Sequence, residues 1–373
     1  MKFIRQILDM STLMQLPKKE RRIIFYSEGK AYWPHLESVL QAFLKCSDIP
    51  VCYVSSGADD PGLAEQHPRL RQFRLDEGWI RNWFFSNVET DVMVMTMPDL
   101  QRYQVKRSKY PVHYVYIHHA LVSCHMVYRK GAFDHYDTIL CAGPHHLEEI
   151  RRTEAEYKLP PKRLVEYGYG RLDAILAERN NNPTRSEPNH VLIAPSWGPR
   201  GLIETVGDQV VSHLLAHEYR VTLRPHPQTV KHANNTLMQI YRQYKHNPLF
   251  SLETNVASQA SLHQSTIMIS DWSGAALDYA FGLEKPVLFI DVPRKVNNPD
   301  YTALGITPFE VFIRDKIGAI VPIDKINQLE KYLSSLVTQS HWQTRLEELR
   351  HAHTFNVGAS GKIGAQTLME LLQ

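Results

Sequence analysis

The strongest constraint on this chain is a pattern that occurs twice: short apolar runs ending in small polar turns, alternating with helical stretches. Residues 22–26, 49–54, 91–95, 112–117, 136–141 and 163–167 are such runs, and helices are expected at 33–45 and 144–157. Runs of this length bounded by turn residues read as buried strands, and short βα connections call for parallel sheets with right-handed crossovers. Residues 179–189 contain no aliphatic or aromatic side chain and are rich in Asn, Pro and Ser, which marks a linker. The pattern then restarts, with strands expected at 190–194, 219–223, 249–252, 266–269 and 287–290. Helices are expected near 201–217, 231–245, 324–337, 341–351 and 359–372.

The expected architecture is therefore α/β. Two doubly wound, Rossmann-like parallel-sheet domains, residues 21–178 and 190–373, face a cleft in a GT-B-like layout, and the C-terminal helices belong to the second. A length of 373 residues suits two domains, and 43% hydrophobic with 22% charged residues is globular composition. A net charge of +3 does not point to nucleic acid. No apolar run is long enough to span a bilayer, and no signal peptide is visible. Cys46, Cys52, Cys124 and Cys141 lack metal-ligand spacing and read as reduced thiols of a cytoplasmic protein. Residues 1–20 are basic, with interleaved apolar residues including Ile4, Leu8, Leu13 and Leu16. They form either an amphipathic helix lying on an anionic membrane surface or a helix packed on the body of the protein.

Three strand ends carry candidate chemistry. Ser270-Asp271-Trp272-Ser273-Gly274 follows an apolar run and opens a helix that contains Asp278. A helix N-terminus with small polar residues offers free N–H groups and hydroxyls to phosphate. Asp271 either caps this helix or fixes a donor that touches the ligand, and Asp278 is placed to reach a ribose or glycerol hydroxyl. The alternative is a plain helix cap with a solvent-facing Asp278. In Arg224-Pro225-His226-Pro227 two prolines stiffen the backbone around one imidazole beside a guanidinium suited to phosphate. The alternative is a rigid turn with a surface histidine. His118-His119 ends a strand of the first half. Adjacent histidines suit few single-metal geometries, so one reads as a general base and the other as a hydrogen-bonded core residue, as does His113. His145-His146, at a helix start, reads as surface, and the aromatic residues at 79–84 and 110–116 either line an acceptor groove or pack in the core, with the core as the simpler reading.

With these residues in place the chain resembles the CDP-glycerol glycerophosphotransferases, which build teichoic-acid-like and capsular polyol-phosphate polymers. The resemblance rests on Ser270 to Asp278 followed by Lys285-Pro286, on Arg224 to Pro227, on His118-His119-Ala120, on Ala194-Pro195-Ser196-Trp197-Gly198, and on Gly168-Tyr169-Gly170-Arg171-Leu172-Asp173. It runs from about residue 110 to 320. Ala120, Gly198 and His118 depart from the family pattern, which puts the polyol and the acceptor in doubt. The resemblance implies attack of an acceptor hydroxyl on the β-phosphate of a CDP-alcohol, CDP-glycerol or CDP-ribitol, with release of CMP and no metal or other cofactor. It makes 21–178 the acceptor side and 190–373 the donor side. His119 would be the base, with His226 and Arg224 stabilising the pyrophosphate, although the two histidines can exchange roles. Ser270, Asp271, Ser273, Gly274, Asp278, Arg171 and Ser196 would hold the donor. The acceptor would be a lipid-linked or polymeric glycopolymer precursor, met at the cytoplasmic face of the membrane.

Two other readings fit the same pattern: a nucleotide-sugar glycosyltransferase or UDP-N-acetylglucosamine 2-epimerase, and a non-catalytic binding protein. Against the first, Ser27-Glu28-Gly29 is a poor substitute for a Gly-rich loop. Against the second, a scaffold has no need of both His119 and His226.

Overall fold

The computed structural model describes every residue except 1, 104, 184–185, 233–234, 256–258 and 340, with the side chains of 2 and 3 also left aside. The first half contains α1 (Lys2–Gln15), β1 (Ile23–Ser27), α2 (Trp33–Cys46), β2 (Val51–Ser55), β3 (Leu70–Arg74), α3 (Trp79–Asn87), β4 (Val92–Met95) and β5 (His113–Ile117). It continues through α4 (Cys124–Val127), β6 (Thr138–Cys141), α5 (Pro144–Tyr157), β7 (Arg163–Glu166) and α6 (Gly170–Asn181). The second half begins with β8 (His190–Ile193), α7 (Leu202–Ala216), β9 (Arg220–Leu223), α8 (Pro227–Lys231), α9 (Asn235–Tyr244), β10 (Phe250–Leu252), α10 (Ala260–Gln264) and β11 (Ile267–Ser270). It closes with α11 (Ala275–Leu283), β12 (Val287–Ile290), α12 (Phe309–Ile313), β13 (Gly318–Val321), α13 (Leu329–Val337), α14 (Trp342–His353) and α15 (Ser360–Leu371).

Two wholly parallel sheets result, in the orders β3-β2-β1-β4-β5-β6-β7 and β10-β9-β8-β11-β12-β13. Both have the doubly wound layout expected from the alternation. Their strands are buried on both faces, which is why they read as continuous apolar runs and not as alternating ones. The strand order reverses next to β1 in one sheet and next to β8 in the other, so the loops after β1, β4, β8 and β11 open at the ligand-binding edge.

Two strands go beyond the expected set. β3 buries only Leu70 and Phe73 fully, because it is an edge strand whose outer side is covered by α1. β13 is the opposite edge, and it begins at Gly318, where a side chain would collide with Val287 of β12. The expected linker is shorter than 179–189, since α6 runs to Asn181, and residues 184–185 lie outside the described set. The last helix also differs from expectation. α15 packs on α2, and Ala365, Leu368 and Leu372 join Leu36, Val39 and Phe43 in a core of the first half.

Candidate active site

The loop after β5 is held against the second half. Glu310, at the start of α12, accepts from the Ser123 N–H and the Ser123 hydroxyl, both at 2.8 Å, and Asn298 Nδ2 donates to the His125 carbonyl at 2.8 Å. This clamp sets Ala120 beside the start of α11: a β-carbon on Gly274 would lie 3.5 Å from that of Ala120. His119 is thereby carried to the Ser270–Gly274 turn.

His119 is half-buried and ringed by aromatic groups. Tyr116 Oη is 3.1 Å from its Nδ1, Tyr128 Oη is 3.4 Å from its Nε2, and Tyr169 Oη donates to its carbonyl at 3.2 Å. Tyr32 and His35 contact the ring edge-on. Burial lowers its pKa to about 4, opposed by a hydrogen bond to the Thr96 backbone, so the imidazole is neutral and able to accept a proton. His118 is a core residue. Its Nε2 is 3.7 Å from Cys124 Sγ and its ring stacks on His146. These three side chains lie within metal-ligand range of one another, but both nitrogens of His146 are committed, to the Ala142 N–H and the Val122 carbonyl. The expectation of a surface pair at 145–146 is thus corrected: His146 is fully buried, and His145 lies against Phe309 with Nε2 2.8 Å from the Leu121 carbonyl. His113 bonds Thr138 at 2.8 Å, as a strand histidine should.

On the second half, His226 caps α8. Its Nδ1 accepts from the Gln228 N–H at 3.1 Å, which places the proton of the neutral ring on Nε2. Burial, then Lys295 and His119, lower its pKa to about 4. Arg224 lies beneath, buried, donating to Ser261 Oγ at 3.3 Å, with Glu253 at 3.9 Å. Burial lowers its pKa only to about 10, so it stays cationic.

The Ser270–Gly274 turn divides its labour. Ser270 is fully buried and donates to the Ala194 carbonyl at 2.8 Å. Asp271 is buried and accepts from the N–H groups of Ser196 (2.7 Å), Trp272 (2.6 Å) and Leu202 (3.0 Å). These two side chains are spent inside the protein, which corrects the expectation that they touch a donor; they tie the β8 and β11 turns together. Ser196 is likewise buried. Ser273 is half-exposed and its Oγ accepts from the Ala275 N–H at 3.3 Å. Among the described residues none accepts from the N–H groups of Ser273 and Gly274. Asp278 is 6% exposed and pairs with Arg171 Nε at 2.7 Å, a bridge from α11 to α6. It is neither solvent-facing nor free.

One residue near the turns escaped the sequence reading. Lys295, in the loop after β12, lies over the Trp197 ring at 4.5 Å, and burial lowers its pKa to about 8, partly offset by Asp271 and Glu204. Its only signal in the sequence is its place after a strand of the second sheet.

The chain is similar in structure to the wall teichoic acid polymerase TagF solved with CDPG, at 17% identity and a TM-score of 0.60, over 99% of this chain and 94% of that one. It is also similar to the UDP-GlcNAc 2-epimerase of Methanocaldococcus jannaschii with UDP-GlcNAc and UDP (11%, 0.55, 94% and 98%). A third similar structure is the S. aureus MnaA–UDP complex (10%, 0.60, 94% and 95%). At such identities the likeness shows the shared GT-B-like fold. No curated protein matches the chain by sequence. The family model for CDP-glycerol:poly(glycerophosphate) glycerophosphotransferase matches residues 93–294, which hold every catalytic and phosphate-site residue expected from the sequence. That span is more than half of the molecule, and the chain belongs to the CDP-glycerol:poly(glycerophosphate) glycerophosphotransferase family.

Proposed function

We propose that the chain transfers glycerol phosphate from CDP-glycerol to a hydroxyl of a polyol-phosphate acceptor, with His119 as base and His226 as the donor to the departing phosphate. The observation that supports this assignment is the different setting of two neutral imidazoles. His226 has its Nδ1 occupied as an acceptor and presents Nε2–H, whereas His119 is flanked by phenols at both ring nitrogens. The acceptor oxygen attacks the β-phosphorus and its proton passes to His119. The bond from that phosphorus to the bridging oxygen breaks, and CMP leaves with the electron pair, met by the His226 Nε2–H and the fixed charges of Arg224 and Lys295. The amides of Ser273 and Gly274 at the start of α11 hold the phosphate, while Ser270, Asp271 and Ser196 keep that turn in shape. Arg171 and Asp278 neutralise one another and brace α6 against α11.

The site is taken to work at an anionic membrane surface. α1 packs on β3 through Leu13 and Leu16, yet Ile4 and Leu8 are 62% and 59% exposed. On neighbouring α3, Trp79 and Trp83 are 61% and 44% exposed, contrary to their expected place in the core. Apolar and indole groups beside basic residues suit the interface of a bilayer. No described helix is long and apolar enough to cross one.

The test is CMP release from CDP-glycerol and CDP-ribitol, with His119→Ala and His226→Ala alongside. Release by the unaltered protein, falling by about 10²–10⁴ in each variant, is expected. Release that survives both substitutions would remove the assignment. In vesicle flotation, Ile4→Asp with Leu8→Asp is expected to abolish binding to anionic lipid; unchanged flotation would remove the membrane role.

A further inference from the structure

Beyond the donor turns, the same edge of the first sheet holds a second polar cluster. Arg81, on α3, is 7% exposed. Its contacts are all long: Tyr26 Oη at 3.5 Å, Asn82 Oδ1 at 3.5 Å and Glu77 at 3.7 Å. Among the described residues Nη2 has no hydrogen-bond partner, and it is not among the fully enclosed polar atoms. A guanidinium so deeply placed and so loosely held is set for an oxyanion. Glu28, at the turn after β1, lies close enough to feel its charge, and Glu28 Oε2 is buried without a partner. Burial pushes the Glu28 carboxyl up to about 7, against the pull of Arg81, so the group exists both as acid and as carboxylate near neutral pH. Tyr32 joins this cluster to the reaction centre: it feels the charge of Glu28, and its ring meets that of His119 at 5.6 Å.

We propose that Arg81, Glu28 and Tyr32 form the acceptor subsite, with the guanidinium on a phosphate of the acceptor chain, the carboxyl on a polyol hydroxyl, and the phenol leading to His119. The proposal rests on the transfer reading above and adds the residues that would hold its polyol-phosphate acceptor. Cation and carboxyl side by side match the alternation of phosphate and hydroxyl along such a chain. The exposed indoles of Trp79 and Trp83 share the helix of Arg81, so the subsite lies on the side of the proposed membrane face.

The probe is a short, lipid-free poly(glycerol phosphate) oligomer, its binding measured by calorimetry beside that of CDP-glycerol. Arg81→Gln is expected to weaken oligomer binding by about tenfold or more, as loss of a hydrogen bond to a charged group does. Arg81→Lys should fall between. Glu28→Gln, which keeps a hydrogen-bond donor, should bind like the unaltered protein, and Glu28→Ala should be weaker. CDP-glycerol affinity should not move in any of them. Oligomer affinity that is unchanged in Arg81→Gln and Glu28→Ala, or a loss shared equally with CDP-glycerol, overturns the subsite; so does an unaltered protein that does not bind the oligomer. If thermal melting shows Arg81→Gln to be unfolded, Glu28→Ala decides. Binding of the oligomer by a protein that releases no CMP from CDP-glycerol would sink the transfer reading while leaving the subsite standing.

Discussion

The two turns that meet across the cleft are built on opposite principles. On the proposed donor side the ligand would meet backbone: Ser273 and Gly274 offer amides, while the charged side chain of the turn, Asp271, points inward and holds three N–H groups. On the proposed acceptor side the ligand would meet a side chain, His119, which neutral phenols hold. A turn that works through its backbone depends on whatever fixes the backbone. A turn that works through one imidazole depends on that ring's protonation and aim.

The largest effect expected from this difference is in Asp271→Ala. It leaves three buried amides without an acceptor, at about 1–3 kcal/mol each, and a loss of about 3 kcal/mol or more in denaturant unfolding is expected, together with loss of donor binding. A stable protein that had lost only donor affinity would put Asp271 back on the ligand. Tyr116→Phe probes the other side. Removing one neutral hydrogen bond of about 1 kcal/mol from His119 should lower kcat by roughly three- to tenfold and leave melting almost unchanged. An effect as large as that of His119→Ala would make the phenol a direct participant. A separate effect is acid sensitivity. His35, His118, His119, His145 and His146 at the first-half edge all have pKa values lowered chiefly by burial. Their stabilising contribution is complete above the unfolded value of about 6.5 and is lost as pH falls toward the folded values, because the unfolded chain then binds more protons. Hydrogen exchange at pH 5 should therefore loosen the β5–α5 region before the β8–β11 turns, and uniform loosening would count against it.

Much of this was legible in the sequence because the motif-bearing strands lie inside their sheets: β5, β9 and β11 are largely buried and end abruptly in polar turns. β3 was not, since an edge strand covered on one side carries too little of that signal. Tyr116, Tyr128 and Lys295 belong to no motif and gain meaning only where they meet His119 or Trp197. The inward turn of Asp271 was equally hidden. A carboxylate at a helix start reads as a cap or as the holder of a donor that touches the ligand, and only the convergence of Ser196 and Leu202 shows what it holds. The His145-His146 error has the same source: a polar pair opening a helix looks solvated until a loop from another strand, residues 121–122, closes over it.

The return of α15 to α2 has a consequence for how the molecule comes into being. Leu36, Val39 and Phe43 are synthesised early, but the apolar partners that cover them, Ala365, Leu368 and Leu372, emerge after the whole second sheet. Phe355, Gly358 and Ser360 stitch that return to Ala142 and Asp173. On the ribosome the second sheet can close over its core while the first still waits with one face bare. The half that is made first is finished last, and during that wait its uncovered helix is the surface on which a chaperone, or a neighbouring nascent chain, would settle.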